Sequence, residues 1–314
     1  MTRRGLIAVL LLAIASQAIA NHVVDDSYTV ARRLDGYRSQ YLGIALPVIA
    51  PRTGQTMAFD LAYKTVGGRD LHIDVFGPGQ QRNLRQGLVL VHGGAWRSGS
   101  KTHFYALANL LAQRGYTVFL PEYRLTPEQR YPAGMEDIAD ALAWAQDQAS
   151  RYGLRADDIA IGGASSGGQM ASLLAYRGGR AGRPANALID LDGVLDASSP
   201  LALQYENAAA PLAQWLGGSF EQVPDTWRDA SAASHVGARS PPTLIVSSGA
   251  PRFTAGREQV TSVLKRNGIR TTTYVYAVAP HDFWLFQPFL DQAVNQITTF
   301  LQAVDADQAR KTRR

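Results

Sequence analysis

The sequence predicts an α/β protein: a mostly parallel, doubly wound sheet of the eight-stranded type with helices on both faces. Three observations support this. From Gly87 onward, short and continuously apolar runs alternate with stretches of helical period. Runs that apolar belong to strands buried on both faces, so the intervening helices must serve as crossovers. The segments that look chemically active all fall where such a run ends, which is the rim where open α/β sheets place their sites. The chain has 314 residues, 46% of them apolar and 18% charged, enough for one large core and one domain.

The elements follow in order. Met1-Thr2-Arg3-Arg4 is a short positive start, Gly5 to Ala15 is almost wholly apolar, and Ala18-Ile19-Ala20 has the small-x-small pattern of a cleavage site. Residues 1–20 therefore read as a signal peptide, with cleavage after Ala20 and a mature start at Asn21. The apolar stretch is interrupted by Ser16 and Gln17 and is shorter than the ~20 residues that span a bilayer. The expectation is a secreted or periplasmic product without stable membrane insertion once the leader is removed. Thr2-Arg3-Arg4 leaves twin-arginine export open beside the general route.

Residues 21–52 mix polar residues with Leu, Ile and Pro without a period and read as an arm laid over the domain. Residues 53–304 form the domain itself. Thr56 to Tyr63 and Leu71 to Phe76, joined through Val66-Gly67-Gly68, read as a hairpin at the sheet edge. The buried strands are expected at Leu88–Val91, Val118–Leu120, Ile159–Ile161, Leu188–Leu191, Leu244–Val246 and Thr273–Val278. Helices are expected near Tyr105–Arg114, Met135–Tyr152, Gln169–Tyr176, Gln259–Asn267 and Pro288–Val304. The stretch from Ser198 to Ser240, with Trp215 and Trp227, suits either a pocket-forming cap or ordinary connecting helices. Residues 305–314 read as a basic, solvated tail.

The formal charge of +5 resides at the ends. Setting aside Arg3, Arg4, Arg310, Lys311, Arg313 and Arg314 leaves 25 basic against 26 acidic residues. A near-neutral body without a basic block argues against a nucleic-acid partner. There are no cysteines, no H-E-x-x-H and no close pair of histidines, so neither disulfides nor a metal site is expected. No feature of the sequence sets an oligomeric state.

Gly163-Ala164-Ser165-Ser166-Gly167 follows the run Ile159-Ala160-Ile161 and precedes a helical stretch. This is the G-x-S-x-G nucleophile elbow, in which a sharp strand-to-helix reversal holds the serine hydroxyl exposed. Glycines are needed where side chains would collide, and the helix N-terminus favours an anionic intermediate. Choosing Ser166 instead would put Ala164 where the first glycine belongs. His92-Gly93-Gly94-Ala95-Trp96 follows the first buried strand, and the amides of Gly93, Gly94, Ala95 and Ser166 are the candidate oxyanion hole. One such donor contributes roughly 2.7 to 4 kcal/mol to the transition state. His92 reads as a brace for that loop. His281, just past the last apolar run, is the candidate base, since an imidazole of pKa near 6.5 can take a serine proton at neutral pH. His22, His72, His103 and His235 lie elsewhere along the chain.

Taken together, these motifs make the chain resemble the hormone-sensitive-lipase-type and feruloyl-esterase-type carboxylesterases of the α/β-hydrolase fold. Glu122-Tyr123-Arg124-Leu125, Tyr131-Pro132-Ala133-Gly134 and Pro241-Pro242-Thr243-Leu244 add to the resemblance, which runs from about Lys64 to the C-terminus. The resemblance implies hydrolysis of small-molecule carboxylic esters, of short acyl or acetyl type, through an acyl-enzyme without metal or organic cofactor.

One part of the pattern is broken. The resemblance implies an Asp or Glu after the seventh strand, where this chain reads Ser247-Ser248-Gly249-Ala250-Pro251-Arg252-Phe253, with Pro251 in the acid's place. The acid can instead come from Asp192 at the end of the preceding strand, from Asp196 in the following loop or from Glu258, with Asp192 preferred. Asp190 lies two residues deeper, ~6.6 Å at ordinary strand rise, and Asp282 should diverge from its neighbour's ring. Two other functions stay open: an amide hydrolase of arylformamidase type, suggested by His-Gly-Gly-Ala-Trp, and a catalytically impaired binding protein, suggested by Pro251.

Overall fold

The computed structural model of the chain describes residues 25, 27–79, 82–180, 182–207 and 209–312. The leader expected at 1–20, its cleavage point and His22 lie outside the described residues. Eight strands form one sheet: β1 (Thr56–Val66), β2 (Arg69–Gly77), β3 (Gly87–Val91), β4 (Thr117–Pro121), β5 (Ile159–Ala164), β6 (Leu188–Leu191), β7 (Thr243–Ser247) and β8 (Thr271–Val275). Their spatial order is β1-β2-β4-β3-β5-β6-β7-β8. β2 pairs antiparallel with both β1 and β4, and every pairing from β4 to β8 is parallel. The β1–β2 hairpin turns on Gly67 and Gly68, both at positive φ (61° and 80°), as a two-residue type I′ turn requires.

The helices are α1 (Val30–Tyr37), α2 (Tyr105–Gln113), α3 (Ala133–Asp147), α4 (Ser166–Arg177), α5 (Pro200–Leu203), α6 (Pro211–Leu216), α7 (Pro224–Asp229), α8 (Arg257–Arg266) and α9 (Phe289–Thr312). Side chains alternate across each strand, so the sheet feeds two cores. Val89, Val91, Ile159 and Ile161 pack on one face with Ile138 of α3, Leu173 of α4 and Leu264 of α8. Leu88, Leu90, Ala160 and Ile189 pack on the other with Leu34 of α1, Leu107 of α2 and Ile297 of α9. Each fully buried aliphatic side chain contributes roughly 1.5 to 3 kcal/mol. Five-residue strands can therefore hold a rigid rim.

Three expectations need correction. The last strand lies at 271–275 instead of 273–278. It is an edge strand with one face open, and its alternation, not an apolar run, defines it. Val278, inside the expected span, is largely exposed in the loop that leads to His281. Residues 305–312 continue α9 instead of forming a loose tail; Arg270 pairs with Asp307, and Gln86 bonds to Asp305. The single helix expected near Met135–Tyr152 is instead α3 (Ala133–Asp147) and a separate 3₁₀ turn at Ala149–Tyr152. The arm does lie over the domain, and it contains α1, capped by the Thr29 side chain. No helix among the described residues is long and apolar enough to cross a membrane.

Candidate active site

Ser165 stands between β5 and α4 at φ 55° and ψ −123°. A non-glycine residue held there costs about 1 to 3 kcal/mol, which the surroundings must supply. They do so by close packing. A Cβ on Gly163 would meet the Gly167 carbonyl oxygen at 2.4 Å, and one on Gly167 would meet the Val91 carbonyl oxygen at 2.1 Å. The elbow is thus wedged between β3 and its own helix, leaving room for glycine alone. The Ser165 amide donates to the Leu191 carbonyl at 2.9 Å, fixing the turn to the neighbouring strand. Ser166 is buried, so its hydroxyl is not presented to the cavity.

His281 reaches this serine from the loop after β8. Its Nε2 lies 2.9 Å from Ser165 Oγ, and its Nδ1 lies 2.9 Å from Asp192 Oδ2. Asp192 closes β6 at φ 53°, its amide still in the ladder to Val246. Its carboxylate is 1% exposed and fully satisfied. It accepts from the Ser248 amide at 2.9 Å, from Ser247 Oγ at 3.0 Å and from Ser248 Oγ as well as from the imidazole. A buried carboxylate held this way is fixed in orientation and not left uncompensated.

The other candidate acids go elsewhere. Asp196 accepts from the amide and hydroxyl of Ser198 in its own turn. Glu258 is exposed on the first turn of α8. Asp190 lies two residues before Asp192, inside β6, where its Oδ1 takes the Gly193 amide at 3.1 Å. Complete burial and the nearby Asp192 charge push its pKa up to about 8. Asp282 turns away from the ring of His281, as expected from its adjacency.

The loop carrying Gly93, Gly94 and Ala95 closes over the elbow. A Cβ on Gly93 would meet the Ala164 carbonyl oxygen at 2.7 Å, and one on Gly94 would meet the Ser98 carbonyl oxygen at 2.0 Å. Ala95 and Trp96 follow at positive φ (53° and 58°). Trp96 is anchored by its indole N–H to Gln169 at 3.1 Å and by stacking on Trp215 at 5.4 Å. His92 is buried, its Nδ1 2.9 Å from the Gly93 carbonyl oxygen and its ring stacked on Tyr123. Burial pushes its pKa down to about 3, so it stays neutral and braces the loop.

Ser165, Ser166, Gly94, Ala95 and His281 line a cavity of about 300 Å³, together with Ser27, Tyr28, Arg33, Val194, Arg252 and Phe253. Among the described residues, none from 198 to 240 lines it. Trp215 and Trp227 are fully buried, and Trp215 supports the site from behind through Trp96. Several contributors gave no sequence signal strong enough to single them out. Phe253 stacks flat on His281 at 3.7 Å between ring centres. Ser247 and Ser248 hold the carboxylate, and Tyr28 and Arg33 come from the arm. The only available cue was position: Ser247, Ser248 and Phe253 occupy the turn where an acid was missing. A hydroxyl bonded to an imidazole that is itself bonded to a buried carboxylate can pass its proton to the ring as the oxygen attacks an electrophile. No group of three or more His, Asp or Glu side chains able to hold a metal occurs among the described residues.

Known proteins agree with this architecture. Esterase LipC of Mycobacterium tuberculosis (strain ATCC 25618 / H37Rv) is 27% identical over 173 residues, covering 51% of this chain and 42% of LipC. Ethyl acetate hydrolase of Pseudomonas putida is 34% identical over 119 residues, 37% of each chain. In both cases the match spans less than half of the relative's length. A truncated carbohydrate esterase from gut microbiota superposes with a TM-score of 0.69 at 20% identity, covering 82% of this chain and 99% of that one, a likeness of fold. The BD-FAE family model matches residues 73–253, more than half of the chain, spanning the His92–Trp96 loop, the elbow and Asp192. The chain has the α/β-hydrolase fold and belongs to the BD-FAE family.

Proposed function

We propose that this protein is a serine hydrolase that cleaves small carboxylic esters, of short acyl or acetyl type, through an acyl-enzyme on Ser165. The observation that carries the reading is the unbroken chain of hydrogen bonds from Ser165 Oγ through His281 to Asp192. Ser165 Oγ attacks the acyl carbon while His281 Nε2 takes its proton. The tetrahedral oxyanion is held by amides of the Gly93-Gly94-Ala95 loop and of Ser166, at the N-terminus of α4. His281 then returns the proton to the departing alcohol, and water repeats the sequence to free the acid. Asp192 keeps the Nδ1 proton in place, so that Nε2 is the basic nitrogen, and stabilises the imidazolium. A cavity of about 300 Å³ is at the small end for ligand sites and suits a short acyl group. The names of two relatives, an esterase and an ethyl acetate hydrolase, point to the same chemistry.

Ser165→Ala is expected to abolish turnover of p-nitrophenyl acetate with circular dichroism and melting temperature unchanged. Retained turnover would overturn the assignment. Faster hydrolysis of N-formylkynurenine than of the acetate would move the protein to the amide-hydrolase reading. Failure of a fluorophosphonate to label wild-type Ser165 would leave a binding protein on a hydrolase fold. Export belongs to the same proposal, and a secreted form whose first residue is Asn21 is the outcome that supports it.

A further inference from the structure

We propose that the arm segment from Ser27 to Tyr37 is a positioning strap for the His281 imidazole, acting through the carboxylate of Asp282. The inference rests on the ester-hydrolase reading of the Ser165 site and concerns residues outside the stretch matched by the family model.

Asp282 is 1% exposed and takes three donors, all from the arm. Tyr28 Oη donates to Oδ1 at 2.7 Å, Tyr37 Oη donates to Oδ2 at 2.8 Å, and Arg33 Nε donates to Oδ2. Arg33 also donates to Tyr37 Oη and lies 4.9 Å from the centre of that ring, so the donors brace one another. Burial works to raise the Asp282 carboxyl, but the charges of His281 and Arg33 and the two hydroxyls outweigh it and hold it below its ordinary value. The side chain is therefore an anion pinned at both oxygens.

Pinning it fixes the backbone from which the imidazole hangs. Asp282 follows His281 directly, and its carbonyl caps the turn Phe283–Leu285 by accepting from the Leu285 amide at 2.9 Å. Phe253 confines one face of the imidazole, and Trp284 meets its edge side at 5.1 Å. Without the strap, Asp282 would be a buried charge lacking partners, which is costly enough to rearrange the loop.

The arm just ahead of the strap reaches the opposite side of the site. Asp25 bridges Ser98 and pairs with Arg97 at 3.4 Å, just past the oxyanion loop. Ser27, Tyr28 and Arg33 then form a wall of the cavity beside Ser165. One short segment thus touches both the loop that carries the imidazole and the loop that carries the oxyanion donors. A misplacement of about 1 Å at such a site can cost ~100-fold in rate.

The test uses the full chain with p-nitrophenyl acetate, fluorophosphonate labelling of Ser165 and the downfield NMR resonance of the His281 Nδ1 proton. In Arg33→Ala, kcat and labelling rate are expected to fall by up to ~100-fold, and the Nδ1 resonance to shift or broaden. Arg33→Lys should recover part of each, and Arg32→Ala, an exposed change on the same helix, should match wild type. If Arg33→Ala does not fold, Tyr37→Phe removes one donor without lining the cavity, and its kcat and resonance should move in the same direction. A folded Arg33→Ala or Tyr37→Phe with wild-type kcat, labelling rate and resonance would overturn the strap. Wild-type protein that neither turns over the ester nor accepts the label would instead refute the ester-hydrolase reading, so the two failures are distinguishable.

Discussion

The ends of β6 and β7 lie side by side on the rim, and each holds half of a role usually given to one turn. Asp192, directly after β6, supplies the carboxylate; Ser247, the last residue of β7, and Ser248 after it supply the donors that hold it. Pro251 and Phe253 follow β7, and Phe253 covers the imidazole where an acid was expected. The two strands are paired in register, Leu191 opposite Val246, so their ends adjoin on the rim. The imidazole responds to where the charge sits, not to which strand delivers it. In this chain the turn after β7 supplies hydrogen-bond donors in place of an acid.

The largest effect that can break this comparison comes from the carboxylate itself. Asp192→Asn removes the charge and the acceptor for Nδ1–H, and kcat for p-nitrophenyl acetate is expected to fall by ~10⁴. A loss of only a few-fold would mean that another acid serves. The vacated turn comes next. Ser248→Ala deletes a hydroxyl bond to a charged group, worth roughly 1.5 kcal/mol and so about a tenfold loss in kcat. Steady-state kinetics showing no loss would make the serines bystanders.

A further contrast lies between Asp192 at the rim and Asp190, two residues earlier in β6. Asp190 ionises in the unfolded chain near the ordinary value of 3.8, but in the fold only near a value of about 8. The folded state therefore keeps a proton that the unfolded state has lost. Stability is expected to decline as pH rises through that window and to level off above it. Asp190→Asn, which never ionises, should show a shallower fall of melting temperature across the same range. Parallel melting curves for the two proteins would mean that Asp190 does not titrate this way.

Much of this was legible in the sequence, because it is written in local chemistry. The run Ile159 to Ile161 followed by Gly163-Ala164-Ser165-Ser166-Gly167 specifies a strand, a strained turn and a helix within a short span, and packing enforces each glycine. The His92 loop is legible for the same reason. Asp192 was readable only as a preference, since choosing it over Asp196 and Glu258 requires knowing that β6 and β7 end together. The arm was less legible still. Tyr28, Arg33 and Tyr37 serve an aspartate about 250 residues away, and no periodicity reports a contact of that range. Arg33 and Tyr37 lie four apart on α1, a helix that the arm's mixed sequence did not announce. β8 begins two residues before the apolar run because an open edge strand needs only alternation.

The grip of Tyr28 and Tyr37 on Asp282 joins the beginning of the chain to almost its end. Tyr28 and Tyr37 precede Asp282 by 254 and 245 residues, and Ser165 precedes His281 by 116, so both contacts wait for the last loop. A nascent chain halted ahead of β8 would own a nucleophile and an oxyanion loop yet have no means of moving a proton. The path from Ser165 through His281 to Asp192 would be completed only when that loop docks.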